Sequence, residues 1–162
     1  MVALEMIVTL FDYHYGLWQR VWGSILTLTD EQFLQPVDYS HGSLRNQVMH
    51  ATVVEKRWLK GLQGDLAARH FNLDPLDYPT RQQAKSVWDA AAGDMLAFVH
   101  GLDESRLASK PAHMSEPIWQ ILLHVATHGV DHRAQVLRIL HDFDAPTFDQ
   151  DFIIYVWSNR HA

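Results

Sequence analysis

The chain has 162 residues and a mass of 18.7 kDa, and its 19 acidic side chains outnumber its 13 Lys and Arg residues, for a formal charge of −6. A chain of this length buries about two thirds of its surface on folding, so we predict one domain over residues 1–162. Its 48% apolar and 20% charged residues are typical of a globular protein. The acidic balance argues against nucleic acid or an anionic membrane as a partner.

The residue inventory restricts the chemistry. Zero cysteines exclude disulfides, thiolate metal sites and cysteine nucleophiles, which leaves eleven histidines with Asp and Glu as the strong metal ligands. Residues 1–16 lack a basic lead and contain Glu5 and Asp12, so no secretory signal is predicted. The uncharged stretch 117–130 is too short to span a bilayer. We therefore expect a soluble, cytoplasmic protein that does not associate with membranes.

Helical periodicity dominates the first half of the chain. Apolar residues spaced three and four apart predict a helix over residues 4–28, and His14 fills one position of its apolar stripe. Residues 30–36 are predicted to form a turn. Ser43 offers an N-cap oxygen to a second helix whose apolar stripe covers residues 44–62.

Longer connections separate the later helices. Residues 65–79 contain two prolines and show no period, so they are predicted to form a long connection. Thr80 and Gln83 form a capping box for a third helix whose stripe ends near residue 102. A polar stretch over residues 103–113 follows it.

The last third of the chain contains two more helix start signals. They predict a fourth helix that runs to about residue 143 and a short apolar helix over residues 152–157. Ser115 and Pro117 are the predicted cap and first-turn proline of the fourth helix. Thr147 and Gln150 form the predicted capping box of the short final helix.

These elements predict the fold class. No segment alternates strictly enough to indicate a strand, and four long helices with this spacing pack at the shallow crossing angle of a bundle. The connections are longer than usual, so one or two of them are expected to cross the bundle. The sequence therefore predicts an all-α four-helix bundle with long crossover connections and a short C-terminal helix.

The fourth helix contains the most informative side chains. His132 lies near the centre of its apolar stripe, and His128 lies one turn earlier on the edge of the same stripe. Two imidazoles at positions i and i+4 can bind one metal ion. His124 lies a further turn back but drifts to the flank of the stripe. Helix 2 offers His50 as a third ligand, and helix 1 offers His14.

Other interpretations of the histidines remain open. The H-x-x-x-H spacing also arises by chance in a histidine-rich chain, and His14 is equally well a core histidine bonded to a backbone carbonyl. Burying several imidazoles without partners is costly, however, and a metal ion removes that cost. Arg133 is either a site residue or a solvated charge, and Glu55 and Asp131 are the nearest acidic side chains. The remaining histidines are predicted to be ordinary surface residues: His41, His70, His100, His113, His141 and His161.

Several other kinds of site are excluded by their motifs. A di-iron bundle needs Glu-x-x-His pairs, and none of the five glutamates is followed by His three places later. No phosphate-binding or dinucleotide-binding glycine motif is present. Gly129 follows His128 where a zinc protease of the H-E-x-x-H type has its general base.

The block HVATHGVDHRAQV resembles the H-x-x-x-H-x-x-x-H-R signature of the DinB-like (DinB/YfiT) superfamily. Three further segments are similar to that family in the same order: LFDYHYGLWQRVW, HGSLRNQVMHATVVEKRWL and the tail DFIIYVW. The resemblance covers nearly the whole chain. It implies a bundle of non-sequential topology that holds one divalent metal.

The resemblance also implies roles for individual residues. His124 and Arg133 match signature positions near the metal that are not consistent ligands, and His14 lies outside the ligand set at a position that often faces the cavity. Characterised relatives are metal-dependent transferases or isomerases that use a small thiol such as bacillithiol or mycothiol, and others are described as hydrolases. The ligands implied in this chain are His50, His128 and His132.

These implications lead to a functional hypothesis. Three neutral imidazoles leave a coordination position open, where a thiol or water loses its proton near neutral pH. We therefore expect a metal-dependent S-transferase or hydrolase that acts on a small electrophilic molecule, with a thiol cosubstrate from solution. Imidazole ligation suits Zn, Ni, Fe or Cu and does not choose among them.

Two alternatives belong to other functional classes. One is a non-catalytic protein of a stress response that binds a metal or a small ligand. The other is a structural bundle that forms a homodimer through exposed aromatic residues, with the histidines merely hydrogen-bonded. The family name derives from DNA-damage induction, which concerns expression and does not make this acidic chain a DNA-binding protein.

Overall fold

Four long helices form a bundle, and three short helices lie within or after its connections. The computed structural model describes residues 2–159, and in this part of the chain all regular secondary structure is helical. Two short 3-10 turns also lie between the second and third long helices. The helices are α1 Val2–Ile25, α2 Asp30–Leu34, α3 Leu44–Leu62, α4 Arg81–His100, α5 Glu104–Ala108, α6 Ile118–Asp142 and α7 Phe152–Ser158.

The bundle has a non-sequential topology. Helix α1 packs against α4 and α6, and α3 packs against the same two helices, so α1 and α3 occupy opposite corners. The chain therefore crosses a diagonal of the bundle twice, through residues 26–43 and again through residues 101–117. This arrangement confirms the predicted all-α four-helix bundle with long crossover connections. None of the described helices combines the length and the apolar character needed to cross a bilayer.

Bulky aromatic residues fill the centre of the bundle. Trp18 and Trp22 of α1 and Trp88 of α4 are almost completely buried. The Trp88 ring centroid lies 6.1 Å from that of Trp18 and 6.0 Å from that of Trp22. Spacings of three and four residues keep such side chains on one face of each helix, which is why the sequence periodicity predicts the core.

The two crossing connections are more helical than predicted. Residues 30–36 were predicted as a turn, but α2 begins there with a capping box between Thr29 and Gln32. The polar stretch 103–113 contains α5, whose first turn is capped by Asp103. Both starts carry a capping side chain at the expected spacing, but the apolar residues that follow are too few to show a period.

Two of the predicted helix starts use different residues. Ser43, Thr80 and Gln83 cap α3 and α4 as predicted. The prediction of Ser115 was wrong, because the N-cap of α6 is Pro117 and no side chain caps it.

The predicted capping box before the final helix was also wrong. The N-cap of α7 is Asp151, without a capping side chain, and the carboxamide oxygen of Gln150 instead accepts a hydrogen bond from Arg133 Nε at 2.9 Å. The Gln150 carboxamide, which the local pattern assigns to a helix cap, therefore binds a residue of another helix instead.

Candidate metal centre

Four imidazole rings meet where α3 packs against α6. His50 projects from α3, His128 and His132 project from α6, and His41 comes from the loop that precedes α3. His132 Nε2 lies 2.9 Å from His128 Nε2, and the His132 and His50 ring centroids are 4.8 Å apart. His41 stacks on His50 with 4.0 Å between ring centroids. We call these four residues the His cluster.

Two overlapping groups of three rings can be distinguished in the His cluster. His41, His50 and His132 each offer a ring nitrogen, and these three nitrogens lie within 4.8 Å of one another. The predicted group has His128 in place of His41, with ring centroids 5.8 Å from His50 and 4.1 Å from His132. His50 and His132 belong to both groups.

A tight turn places His41 in the His cluster. Ser40 and Gly42 adopt positive φ angles of 48° and 81°, a region that suits glycine far better than other residues. The Val37 amide donates to the Gly42 carbonyl at 2.9 Å, which closes the turn just before the Ser43 cap of α3. His41 is exposed, as predicted, but its place beside His50 was missed, because periodicity contains no information about a loop that folds back.

Amide side chains orient the most buried ring of the His cluster. The Gln47 amide nitrogen lies 2.6 Å from His132 Nδ1 and donates to Gln135 Oε1 at 2.7 Å. The Ser40 hydroxyl donates to Gln47 Oε1 at 2.7 Å. With Nδ1 held in this way, Nε2 of His132 faces His128 and the rest of the His cluster. An amide nitrogen only donates, so His132 Nδ1 accepts in this contact and the ring proton is on Nε2. A metal-binding histidine usually donates from its second nitrogen, so binding a cation through Nε2 would require the Gln47 carboxamide to turn and present its oxygen to Nδ1.

Three rings of the His cluster, those of His50, His128 and His132, are neutral at physiological pH. Burial, followed by the neighbouring imidazoles, lowers the pKa of both His50 and His132 from 6.5 to about 4. Burial also lowers the pKa of His128. Because only a neutral imidazole has a free lone pair, these shifts keep the nitrogens available for a cation.

The donor set fits a divalent metal cation. His128 Nδ1 is buried and has no hydrogen-bond partner among the described residues, and its Nε2 faces only another neutral imidazole. Each neutral imidazole carries one N–H and one lone pair, so the single contact between these two rings leaves the second nitrogen of His128 without a partner among the described residues. Several imidazole lone pairs that turn toward one centre are the donor set of a divalent cation, which would release the ring protons to the opposite nitrogens. His41 is exposed, which leaves a route to the site from solvent.

The depressed pKa values predict how stability depends on pH. Unfolded histidines take up protons near pH 6.5, whereas His50 and His132 stay neutral in the folded state down to about pH 4. The unfolded state therefore binds more protons in this window, and stability falls as the pH falls through it. Between pH 7.5 and pH 5 we expect metal-free protein to lose about 1–3 kcal/mol, after allowance for solvent screening. Urea denaturation at the two pH values measures this, and an unchanged free energy would contradict it.

Behind the His cluster lies a buried polar network that joins three helices. Glu55 of α3 accepts hydrogen bonds from Tyr15 OH at 2.9 Å and from His14 Nε2 at 3.2 Å. Arg133 of α6 places Nη1 2.8 Å from His14 Nδ1, and its Nε donates to Gln150. All four of Tyr15, His14, Glu55 and Arg133 are buried, so we call them the buried network.

The buried network fixes the tautomer of His14. A guanidinium is only a donor, so His14 Nδ1 must accept from Arg133, and the ring proton is on Nε2, where it is donated to Glu55. Burial outweighs the nearby carboxylate and lowers the pKa of His14, so the ring is neutral. A neutral imidazole thus bridges the negative charge of Glu55 and the positive charge of Arg133. The interpretation of His14 as a core histidine is correct for its burial, but the ring bonds to these two charged side chains and not to a backbone carbonyl.

The remaining predicted residues lie outside both clusters. His124 is exposed, and its ring centroid lies 5.0 Å from that of Trp58 and 5.9 Å from that of His128. Asp131 is exposed and accepts from Gln135 Nε2 at 3.0 Å. His161 lies outside the described residues. The other histidines predicted to be at the surface are exposed: His70, His100, His113 and His141.

Sequence comparison agrees with the geometry. The model of the DinB family matches residues 4–158, which include the four-helix bundle except for the first two residues of α1, and the whole His cluster. No curated protein matches the chain significantly. The resemblance inferred from the H-x-x-x-H-x-x-x-H-R block is therefore confirmed over almost the full length. On its fold and on this match, the chain belongs to the DinB family.

Proposed function

We propose that this protein is a metal-dependent enzyme that transfers a thiol to a small electrophilic molecule or hydrolyses such a molecule. The observation that supports it is the convergence of neutral imidazoles from two helices, with His132 Nε2 and His128 Nε2 2.9 Å apart. The proposed ligands are His50, His128 and His132. His41, whose ring nitrogen lies within 4.8 Å of those of His50 and His132, is a candidate to replace His128.

The cation would supply Lewis acidity and lower the pKa of a thiol or water that binds it. The residues of this chain have other tasks. Gln47 holds His132 by Nδ1, and the buried network anchors α1 and α3 to α6 behind the rings. The chain contains no cysteine, so a thiol nucleophile would have to come from solution.

Metal content of purified variants tests the site. We expect wild type to bind about one equivalent of Zn²⁺ or Ni²⁺ and His132→Ala to lose at least about tenfold in affinity, since it removes a ligand. His141→Ala is the matched control, because it removes an exposed histidine from the same helix. Equal metal content in wild type and His132→Ala, measured by elemental analysis after dialysis, would rule out the site.

The third ligand can be identified by the same measurement. If the proposed set is right, His128→Ala loses metal as His132→Ala does, and His41→Ala retains it. The opposite pattern would replace His128 by His41 in the set.

Activity separates the enzyme from a binding protein. A panel of electrophiles, assayed with and without added thiol, is expected to give turnover that depends on the loaded metal. Tight metal binding without any conjugation or hydrolysis would instead favour the non-catalytic binding protein of a stress response.

The cytoplasmic location and the homodimer stay predictions. Exposed apolar side chains on α7, including Phe152 and Trp157, are the surface that motivates the homodimer. Light scattering after size-exclusion chromatography measures the oligomer directly, and a monomer mass would exclude it.

A further inference from the structure

A polar pocket of about 290 Å³ opens beside the His cluster. His41 and His50 form one wall of the pocket, so any ligand in it would also lie next to the proposed metal. The volume is at the lower end of the range for ligand pockets, which suits a small molecule. The other lining residues that matter here are Asn46, Met49, Val53, Arg57, Asn72 and Leu73.

Arg57 is the only Lys or Arg among the described residues that line this pocket. None of these residues is acidic, so nothing in the lining offsets its charge. The half-buried Arg57 therefore gives the pocket a net positive charge within a chain whose formal charge is −6. A cationic pocket on an acidic protein attracts small anions selectively.

The other cations on this part of α3 have acidic partners, and Arg57 does not. Lys56 Nζ lies 3.6 Å from an Asp94 oxygen, and Lys60 Nζ lies 3.5 Å from an Asp65 oxygen. No carboxylate within residues 2–159 lies within 4.0 Å of the Arg57 guanidinium. A half-buried charge without a counter-ion indicates that a ligand supplies one.

The Arg57 side chain is already ordered for binding. Its Nε donates to the Phe71 carbonyl at 2.7 Å, which holds one edge of the guanidinium and leaves the terminal amino groups without a hydrogen-bond acceptor among residues 2–159. A planar guanidinium matches the geometry and single charge of a carboxylate. The amides of Asn46 and Asn72 add polar groups, and buried Met49 and Val53 supply an apolar floor.

We propose that this pocket binds the carboxylate of a small carboxylate-bearing substrate or thiol through Arg57, so that the rest of the molecule reaches the His cluster. The inference rests on the proposed function, because it assigns the chemical class of a ligand to the same site. It goes further in naming the group that selects the ligand.

The test compares two thiols that differ in one group. Protein loaded with Co²⁺ is titrated with 3-mercaptopropionate and with 3-mercapto-1-propanol, and the cobalt absorption spectrum reports binding. We expect wild type to bind the carboxylate compound about tenfold more tightly and Arg57→Gln to bind the two within about twofold, as for loss of a charge-assisted hydrogen bond. Arg138→Gln, which removes an exposed arginine of α6, is expected to keep the tenfold preference.

Arg57→Gln also removes the hydrogen bond to Phe71, so a second variant that keeps this bond is needed. Asn72→Asp keeps Arg57 and its bond to Phe71 but introduces a carboxylate into the same pocket, so it too is expected to abolish the preference. If the preference survives in both variants, the metal alone recognises the carboxylate and the inference is wrong. If wild type shows no preference, the inference is equally wrong, while the bound Co²⁺ leaves the proposed function standing.

Failure to bind Co²⁺ would instead refute the proposed function. In that case the pocket is tested in metal-free protein by the NMR resonance of the Arg57 side-chain Nε–H. A shift on addition of 3-mercaptopropionate, absent with the alcohol, would support the inference, and no shift with either compound would overturn it.

Discussion

Replacing Glu55 with Gln is expected to lower the free energy of unfolding by about 3–5 kcal/mol, as for a buried charged pair that loses one partner. Glu55 is 2% exposed and balances the buried charge of Arg133 through the neutral His14 ring. Gln preserves the volume but removes the charge, and its amide can accept from only one of the two donors, His14 and Tyr15. Urea denaturation of wild type and variant measures the difference.

An exposed acid of the same kind is the control for Glu55. Asp142 lies 3.0 Å from Arg138, and both side chains are about half exposed or more. Asp142→Asn is expected to cost no more than about 1 kcal/mol, because water screens this pair. Combining Glu55→Gln with Arg133→Gln should cost less than the sum of the single changes, since both remove the same interaction. Equal costs for Glu55→Gln and Asp142→Asn would show that the buried network contributes little.

Replacing Gly129 with Ala is expected to destabilise the fold by about 1–3 kcal/mol, although Ala is the better helix former. A Cβ built at this position would lie 2.0 Å from His14 Cε1 and about 3 Å from both ring nitrogens. The ring has no freedom to retreat, because Glu55 and Arg133 hold its two nitrogens. The variant must therefore break the buried network or move α1 away from α6.

Gly93 of α4 provides a matched control with the opposite sign. A Cβ there meets no atom within 4 Å, so Gly93→Ala should stabilise the protein by about 0.5–1 kcal/mol through helix propensity. Thermal and urea unfolding of both variants give the two changes side by side. If Gly129→Ala were as stabilising as Gly93→Ala, the close packing of His14 on α6 would be refuted.

The site was only partly predictable, and particular residues show why. His132 and His50 are conspicuous because a polar residue on an apolar stripe breaks a regular pattern. His41 breaks no pattern, since it lies in a loop, and its only local signal is the glycine and the capping serine that follow it. The sequence indicates that Glu55 is near the histidines but not which way its side chain points. It gives no sign of the role of Gln47, because amides are common on helix surfaces and nothing local distinguishes a buried one.

The amino-acid sequence by itself determined the four long helices, their inward faces, the caps of α3 and α4 and the family, because periodicity and capping are local properties of a few neighbouring residues. Only the tertiary structure decided which corners the helices occupy, and with it the contact of His14 with Glu55 across the bundle, the place of His41 and the loss of Gln150 from its expected cap. These contacts join residues of different elements of the chain, and their energies depend on burial and on partners that no local pattern contains.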